Sequence, residues 1–253
     1  MSKNIRIIPR LDIKGPNVVK GIHTEGLRIV GEPIKLAKKY YQDGADEIVY
    51  MDIVASLYQR NLDFDLLRSV ASEIFIPLTV GGGIRSIHDI NNALRAGADK
   101  VAINTYALKH PEFLKEAVRI FGAQCIVLSV EAKKINPNSW EAYTDGGREK
   151  TGINAITWIH QAINQGVGEI LITSIDADGA RKGFDSELMQ AVSSIKVPIV
   201  IHGGANGPSS FLDILRNCRP DAIAASSIFH YGEATIKQIK KYLVKNNISV
   251  RLN

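Results

Sequence analysis

An α/β fold, a single closed barrel of eight parallel strands with covering helices, follows from three features of the sequence. Short β-branched runs alternate with helical patterns eight times. The runs are apolar on both faces, which suits strands covered by helices better than strands half-exposed to water. Eight such units fill 253 residues, the usual size of a (β/α)8 or TIM barrel. An open doubly wound sheet is the alternative. No Pro- or Gly-rich linker divides the chain, so residues 1–253 read as one domain.

The elements follow in order. Candidate strands are IRIIPRLD (5–12), DEIVYMD (46–52), IPLTV (76–80), DKVAIN (99–104), CIVLSV (125–130), GEILITS (168–174), VPIVIH (197–202) and DAIAAS (221–226). Each is followed by a segment with apolar residues at i, i+3 and i+4, the spacing of one helix face. These are EPIKLAKKYYQDG, DLLRSVASEI, IHDINNALRAG, PEFLKEAVRIFG, INAITWIHQAINQG, SELMQAVSSI, SFLDILRNC and EATIKQIKKYLVKN. Several end at a glycine, a common helix stop.

The second half echoes the first. IPLTVGGGI (76–84) matches VPIVIHGGA (197–205), and ADEIVYMD (45–52) matches VGEILITS (167–174). DKVAINT (99–105) matches DAIAASS (221–227), and IIPRLDIK (7–14) matches IVLSVEAK (126–133). Two half-barrels, about 1–124 and 125–253, are therefore expected. The repeat sets Asp12 against Glu131, on opposite strands and both at C-terminal strand ends, where barrels of this class carry their chemistry.

Composition narrows the functional classes. Apolar residues make up 45% of the chain, enough for a large core. The 31 basic residues are dispersed, which argues against nucleic acid and leaves anionic small molecules as the milder implication of a net charge of +5. Cys125 and Cys218 stand apart with no CxxC spacing, as expected of core thiols in a reduced, cytoplasmic protein. No run approaches the length of a membrane span or a secretory signal. The six histidines show no metal-binding spacing, and neither a nucleotide P-loop nor a GxSxG elbow is present, so no metal and no cofactor are expected.

Two opposed carboxylates at a barrel mouth can serve as general acid and general base if their surroundings separate their proton affinities. One strand-end acid could as well cap a helix or pair with a lysine; the repeat makes a pair of them more pointed. VGGGI (80–84) and HGGA (202–205) follow the third and seventh strands. Glycine there lets backbone N–H groups approach an anion at a helix start. Asn104 and Thr105, and Ala225 and Ser226, end the fourth and eighth strands beside them. Two matched cradles suggest a long ligand with a phosphate at each end.

IIPRLDIKGPNVVKG, FIPLTVGGGIRS, AGADKVAINT, FGAQCIVLSVEAK, GEILITSIDADG and AASSIFHYGE together resemble the cyclase (synthase) subunit of imidazole glycerol phosphate synthase. The resemblance runs from about residue 5 to residue 252. It implies a glutaminase partner docked on the bottom of the barrel and ammonia passing through the barrel to a bisphosphate substrate. That substrate is cleaved and cyclised to imidazole glycerol phosphate and an aminoimidazole carboxamide ribotide, a lyase-type reaction of histidine biosynthesis. The catalytic positions it implies are Asp12 and Glu131. Its phosphate cradles fall on Gly82, Gly83, Asn104 and Thr105, and on Asp178, Gly179, Gly203, Gly204, Ala225 and Ser226. Lys20 matches a loop lysine that approaches substrate. Arg6, Glu47, Lys100 and Glu169 match a ring of gate charges at the ammonia entrance.

Four positions depart from the family pattern: Glu131 stands where the family has Asp, Arg10 where Cys is common, Ala180 where Thr is found, and His202 where Ser is usual. All lie toward the substrate end. An inward Arg10 favours ionised carboxylates, which opposes acid catalysis unless it is neutralised, for example by pairing with Glu131. The second expectation is therefore a divergent paralogue that passes ammonia on for acetamidino-sugar formation in surface polysaccharide, with little or no cyclase turnover.

Overall fold

A computed structural model of the chain describes residues 4–252. β1 (Arg6–Lys14) runs through the barrel and past its rim, where it begins an antiparallel excursion through β2 (Asn17–Ile22) and β3 (Glu25–Gly31). Then follow α1 (Pro33–Gln42), β4 (Ile48–Asp52), α2 (Phe64–Ala71), β5 (Leu78–Gly81), α3 (Ile87–Arg95), β6 (Lys100–Ile103), α4 (Thr105–Lys109) and α5 (Glu112–Phe121). The second half repeats the plan. β7 (Ile126–Asn136) leaves the rim into β8 (Ser139–Thr144) and β9 (Glu149–Asn154), followed by α6 (Ala155–Asn164), β10 (Glu169–Ser174), α7 (Ser186–Ala191) and β11 (Ile199–His202). The chain ends with α8 (Pro208–Asn217), β12 (Ala222–Ala225), α9 (Ser227–His230) and α10 (Ile236–Lys245).

The eight expected strands pair in parallel as β1–β4–β5–β6–β7–β10–β11–β12, and β12 returns to β1 with Arg6 opposite Ala222. The barrel is closed, and no parallel edge is left to cover. The expected barrel of eight strands is present; among the described residues four further strands lie outside it. They form two hairpins above the rim, in segments to which the sequence pattern assigned no strand.

Side chains sort by strand alternation. Ile8, Val49, Met51, Ala102, Val127, Leu171, Val200, Ala222 and Ala224 fill the barrel interior. The larger cluster lies between sheet and helices and includes Ile7, Tyr50, Trp158 and Phe211. Helix starts follow the local chemistry: Asp63 caps α2 through Leu66 N–H, Ser86 caps α3 through Asp89 N–H, and Thr235 with Gln238 closes a capping box on α10. The free thiols of Cys125 and Cys218 are half-buried at the core margin, less enclosed than expected.

Equivalent positions of the two halves use the same devices. Asp99 accepts from Leu78 N–H at 2.8 Å, and Asp221 accepts from Ile199 N–H at 2.8 Å. Asn104 (φ −124°, ψ −85°) and Ser226 (φ −124°, ψ −74°) precede the short helices α4 and α9 with nearly the same uncommon backbone.

The glycine pairs are required by backbone crowding. A Cβ on Gly82 would meet Asp52 O at 2.2 Å, and one on Gly204 would meet Gly183 O at 1.9 Å, both at positive φ. Gly183 N–H in turn donates to Gly204 O at 2.8 Å. Gly232 also has positive φ but nothing within 4 Å of its missing Cβ. Gly232→Ala is expected to cost about 1–2 kcal/mol, the left-handed backbone penalty alone. Gly204→Ala is expected to cost clearly more by urea unfolding, because the clash adds to the strain; equal losses would show that the loop yields freely.

Candidate functional site

The mouth is built from inward positions of the barrel strands and from the two hairpins. Ile8 faces the interior, so Arg10 and Asp12 on the same strand do too. On β7, Val127 sets the same phase for Ser129 and Glu131. Asp12 and Glu131 are 4% and 7% exposed, and both line a residual space of about 10 Å³ at the centre of the mouth, roughly one water molecule.

Asp12 sits among cations. Arg10 Nε donates to its Oδ1 at 2.7 Å, and Lys20 Nζ, reaching in from β2, donates to its Oδ2 at 3.2 Å. Lys20 also binds both oxygens of Asp178 at 2.8 Å. Burial would raise the proton affinity of Asp12, but Arg10, then Lys20, outweigh it and hold the carboxyl well below the usual range. The expected pairing of Arg10 with Glu131 does not form. Arg10 turns to Asp12, and its Nη1 donates to Thr173 Oγ1 at 2.9 Å and faces His202 Nδ1 at 3.4 Å.

Glu131 has a different environment. Burial raises it, and Arg10 and the Gly147 N–H only partly offset this, so it is pushed up to about 7. Asn104 Nδ2 donates to Glu131 Oε2 at 2.9 Å and to Tyr143 O at 3.0 Å. The two carboxyls are thus separated in proton affinity, as acid–base pairing needs.

His202 is neutral near pH 7: burial, then Arg10, push it down to about 3. A guanidinium has only donors, so the facing Nδ1 is the acceptor and Nε2 carries the hydrogen, 3.1 Å from Ser226 Oγ.

From Glu131 a cavity of about 250 Å³ extends outward, lined by Gly82, Gly83, Asn104 and Thr105. The first group of expected anion contacts is therefore assembled beside a carboxyl. The second group is more enclosed. His202 lies beside Ser226 and near Asp178, whose Oδ1 is 3.8 Å from its Nε2. Gly203 lies against Ser174 O and Asp178 N, Gly204 against Gly183, and Gly179 against Gly21 O of the first hairpin. The need for glycine at 179, 203 and 204 is thus met by neighbouring protein backbone. Ala225 ends β12 on the rim next to Ser226. A separate outer groove of about 820 Å³ touches Lys20, Gly179 and Ser227.

The hairpins cover the mouth and meet each other. His23 N–H donates to Asp178 O at 2.8 Å, and Arg148 Nη2 from the β8–β9 turn donates to Thr24 O at 3.0 Å. Thr173, Tyr143 and Arg148 were not singled out from sequence. The Asp145–Gly146 pair between alternating segments is a hairpin signal that could have exposed the last two.

At the opposite end, Arg6, Glu47, Lys100 and Glu169 close a ring of alternating charge. Arg6 pairs with Glu47 at 2.6 Å and with Glu169, and Lys100 with Glu47 at 3.0 Å and Glu169 at 2.7 Å. Thr79 Oγ1 adds a 2.5 Å bond to Glu47.

A closed barrel with two inward carboxyls of unlike proton affinity at its C-terminal rim defines a protein of the (β/α)8 enzyme class. Residues 6–235 match the family described as histidine biosynthesis protein. The chain is 46% identical over 252 residues to the imidazole glycerol phosphate synthase subunit HisF of Helicobacter hepaticus, covering 100% of each chain. It is 48% identical over 249 residues to the same-named subunit of Clostridium beijerinckii and 46% over 248 to that of Bacillus cereus, covering 98% of each chain in both cases. This chain belongs to the histidine biosynthesis protein family. Among the described residues, no helix is long and apolar enough to cross a membrane.

Because the folded state raises Glu131 from 4.5 to about 7, it binds this proton more tightly than the unfolded chain does. The stabilisation is whole below about pH 4.5 and is lost as pH rises to about 7. Glu131→Gln removes that loss. Denaturation midpoints should show the variant gaining on wild type by up to about 3 kcal/mol between those pH values. Parallel pH profiles would contradict the raised affinity.

Proposed function

We propose that this chain is the cyclase subunit of imidazole glycerol phosphate synthase, a lyase-type enzyme of histidine biosynthesis. The carrying observation is the Asp12–Glu131 pair, one carboxyl locked ionised and the other able to hold a proton near neutral pH. In this reading ammonia adds to the carbonyl of a phosphoribulosyl-formimino aminoimidazole carboxamide ribotide. Asp12 takes a proton from the attacking nitrogen and Glu131 supplies one to the departing oxygen. Cleavage and ring closure then yield imidazole glycerol phosphate and the aminoimidazole carboxamide ribotide. One substrate phosphate lies against Gly82, Gly83, Asn104 and Thr105. The other is held by backbone around Gly179, Gly203, Gly204, Ala225 and Ser226, with Asp178 and Lys20 at the margin. That second site requires the β2–β3 hairpin to give way.

A glutaminase partner docks at the opposite end, and ammonia enters through the ring of Arg6, Glu47, Lys100 and Glu169. The four ion pairs support this role, since they close the axis with contacts that can be exchanged. The chain acts as one domain of two half-barrels, 1–124 and 125–253, which the matching backbone of Asn104 and Ser226 supports. It works in the cytoplasm, in keeping with its two free thiols. The sugar-amidation alternative drew on the departures at Glu131, Arg10, Ala180 and His202, with Arg10 as the obstacle to acid catalysis. With Arg10 paired to Asp12, its charge only partly offsets the burial that raises Glu131, which supports acid catalysis there.

Turnover of the bisphosphate substrate with ammonium salt supplied directly tests the reading without the partner. Asp12→Asn and Glu131→Gln should each reduce it by about 10²–10⁴-fold. Absence of wild-type turnover would overturn the proposal. Titration with millimolar inorganic phosphate should shift the amide signals of Gly82, Gly83 and Thr105; unmoved signals would count against that cradle. Lys100→Glu places a like charge between Glu47 and Glu169 and should weaken glutaminase binding, because such a contact costs several kcal/mol. Binding at wild-type strength would remove the ring from the docking face.

A further inference from the structure

We infer that Arg10 is a positioning residue that keeps Asp12 as the ionised member of the pair, ready to accept a proton, and leaves Glu131 as the member that can donate one. This rests on the acid–base roles proposed above. Arg10 and Asp12 lie two residues apart on one strand and face the same interior, so their contact is built into the strand. The guanidinium is held from both sides, by Asp12 Oδ1 at 2.7 Å and by Thr173 Oγ1 at 2.9 Å across the barrel. It is 4% exposed, so water does little to screen it.

The other charged or titratable groups near Asp12 cannot replace it. Lys20 from β2 divides its charge, 3.2 Å from Asp12 and 2.8 Å from both oxygens of Asp178. His202 from β11 and His230 from α9 are pushed down by burial to about 3 and about 4, and are neutral at working pH. Glu131 from β7 is the opposing acid. Around Glu131 stand the neutral amide of Asn104, the Gly147 N–H, Asp12, and the more distant charges of Arg10 and Arg148. Arg10 therefore makes its shortest contact with one carboxyl and only a longer-range one with the other.

The test follows the carboxyl carbons of Asp12 and Glu131 by NMR across pH, together with the pH profile of ammonium-dependent turnover. In Arg10→Met the midpoint of Asp12 should rise by about one to three pH units. An acid limb absent from wild type should appear in the rate profile. Arg10→Lys, which keeps the charge, should hold the Asp12 midpoint near that of wild type. If Arg10→Met does not fold, Arg10→Gln is read in the same way. An unchanged Asp12 midpoint in a folded neutral variant overturns the inference, as does a uniform drop in rate with no moved limb. A raised midpoint in a protein whose wild type shows no turnover supports the positioning role and rejects the proposed reaction instead.

Discussion

Everything at this barrel's two ends depends on one constraint, the strand alternation of β1 inside a closed cylinder. Arg6, Ile8, Arg10 and Asp12 form a single inward column, locked by the pairing of Arg6 with Ala222 on one side and of Arg10 with Val49 on the other. A slip of one residue would turn the whole column out toward the helices. The interior excludes water, so each inward charge must find an opposite charge within the same layer. At the bottom four side chains satisfy one another. At the top Arg10, Asp12, Lys20 and Asp178 do so, and an apolar middle layer separates the two sets.

The top set leaves Glu131 outside its strongest pairings. Its nearest donor is a neutral amide, and desolvation therefore dominates its proton affinity. The same contacts that stabilise Asp12 as an anion make it unavailable as an acid. Chemical asymmetry thus arises within a nearly symmetric frame: the two carboxyls occupy equivalent positions of the repeat, but Arg10 is matched by Ser129 in the second half. Arg10, with Lys20 behind it, holds Asp12 down, while burial raises Glu131.

The hairpins add a second asymmetry. Both rise from equivalent strands, yet the first presses on Asp178 and Gly179, while the second leaves the Gly82–Gly83 side open to a cavity. The glycines at these turns serve the protein's own backbone first. Asp52 O and Gly183 O pass where a Cβ would stand, so the anion cradles are by-products of tight strand-to-loop crossings as much as dedicated sites.

Periodicity and the repeat were sufficient to reveal the eight barrel strands, the main helices between them and the inward direction of Arg10, Asp12 and Glu131; the charged ring below came from the family resemblance. The strands, helices and inward directions depend on local alternation, which a linear sequence displays directly. The hairpins were missed although Asp145–Gly146 signalled one of them, because their strands are short, half-exposed and carry no continuous apolar run. Only the tertiary structure decided which carboxyl Arg10 would take, that Lys20 would bridge Asp12 to Asp178, and that Glu131 would be left to desolvation. Those outcomes depend on distances across the barrel and on which groups seal the mouth, quantities set by closure of the sheet and absent from any local pattern.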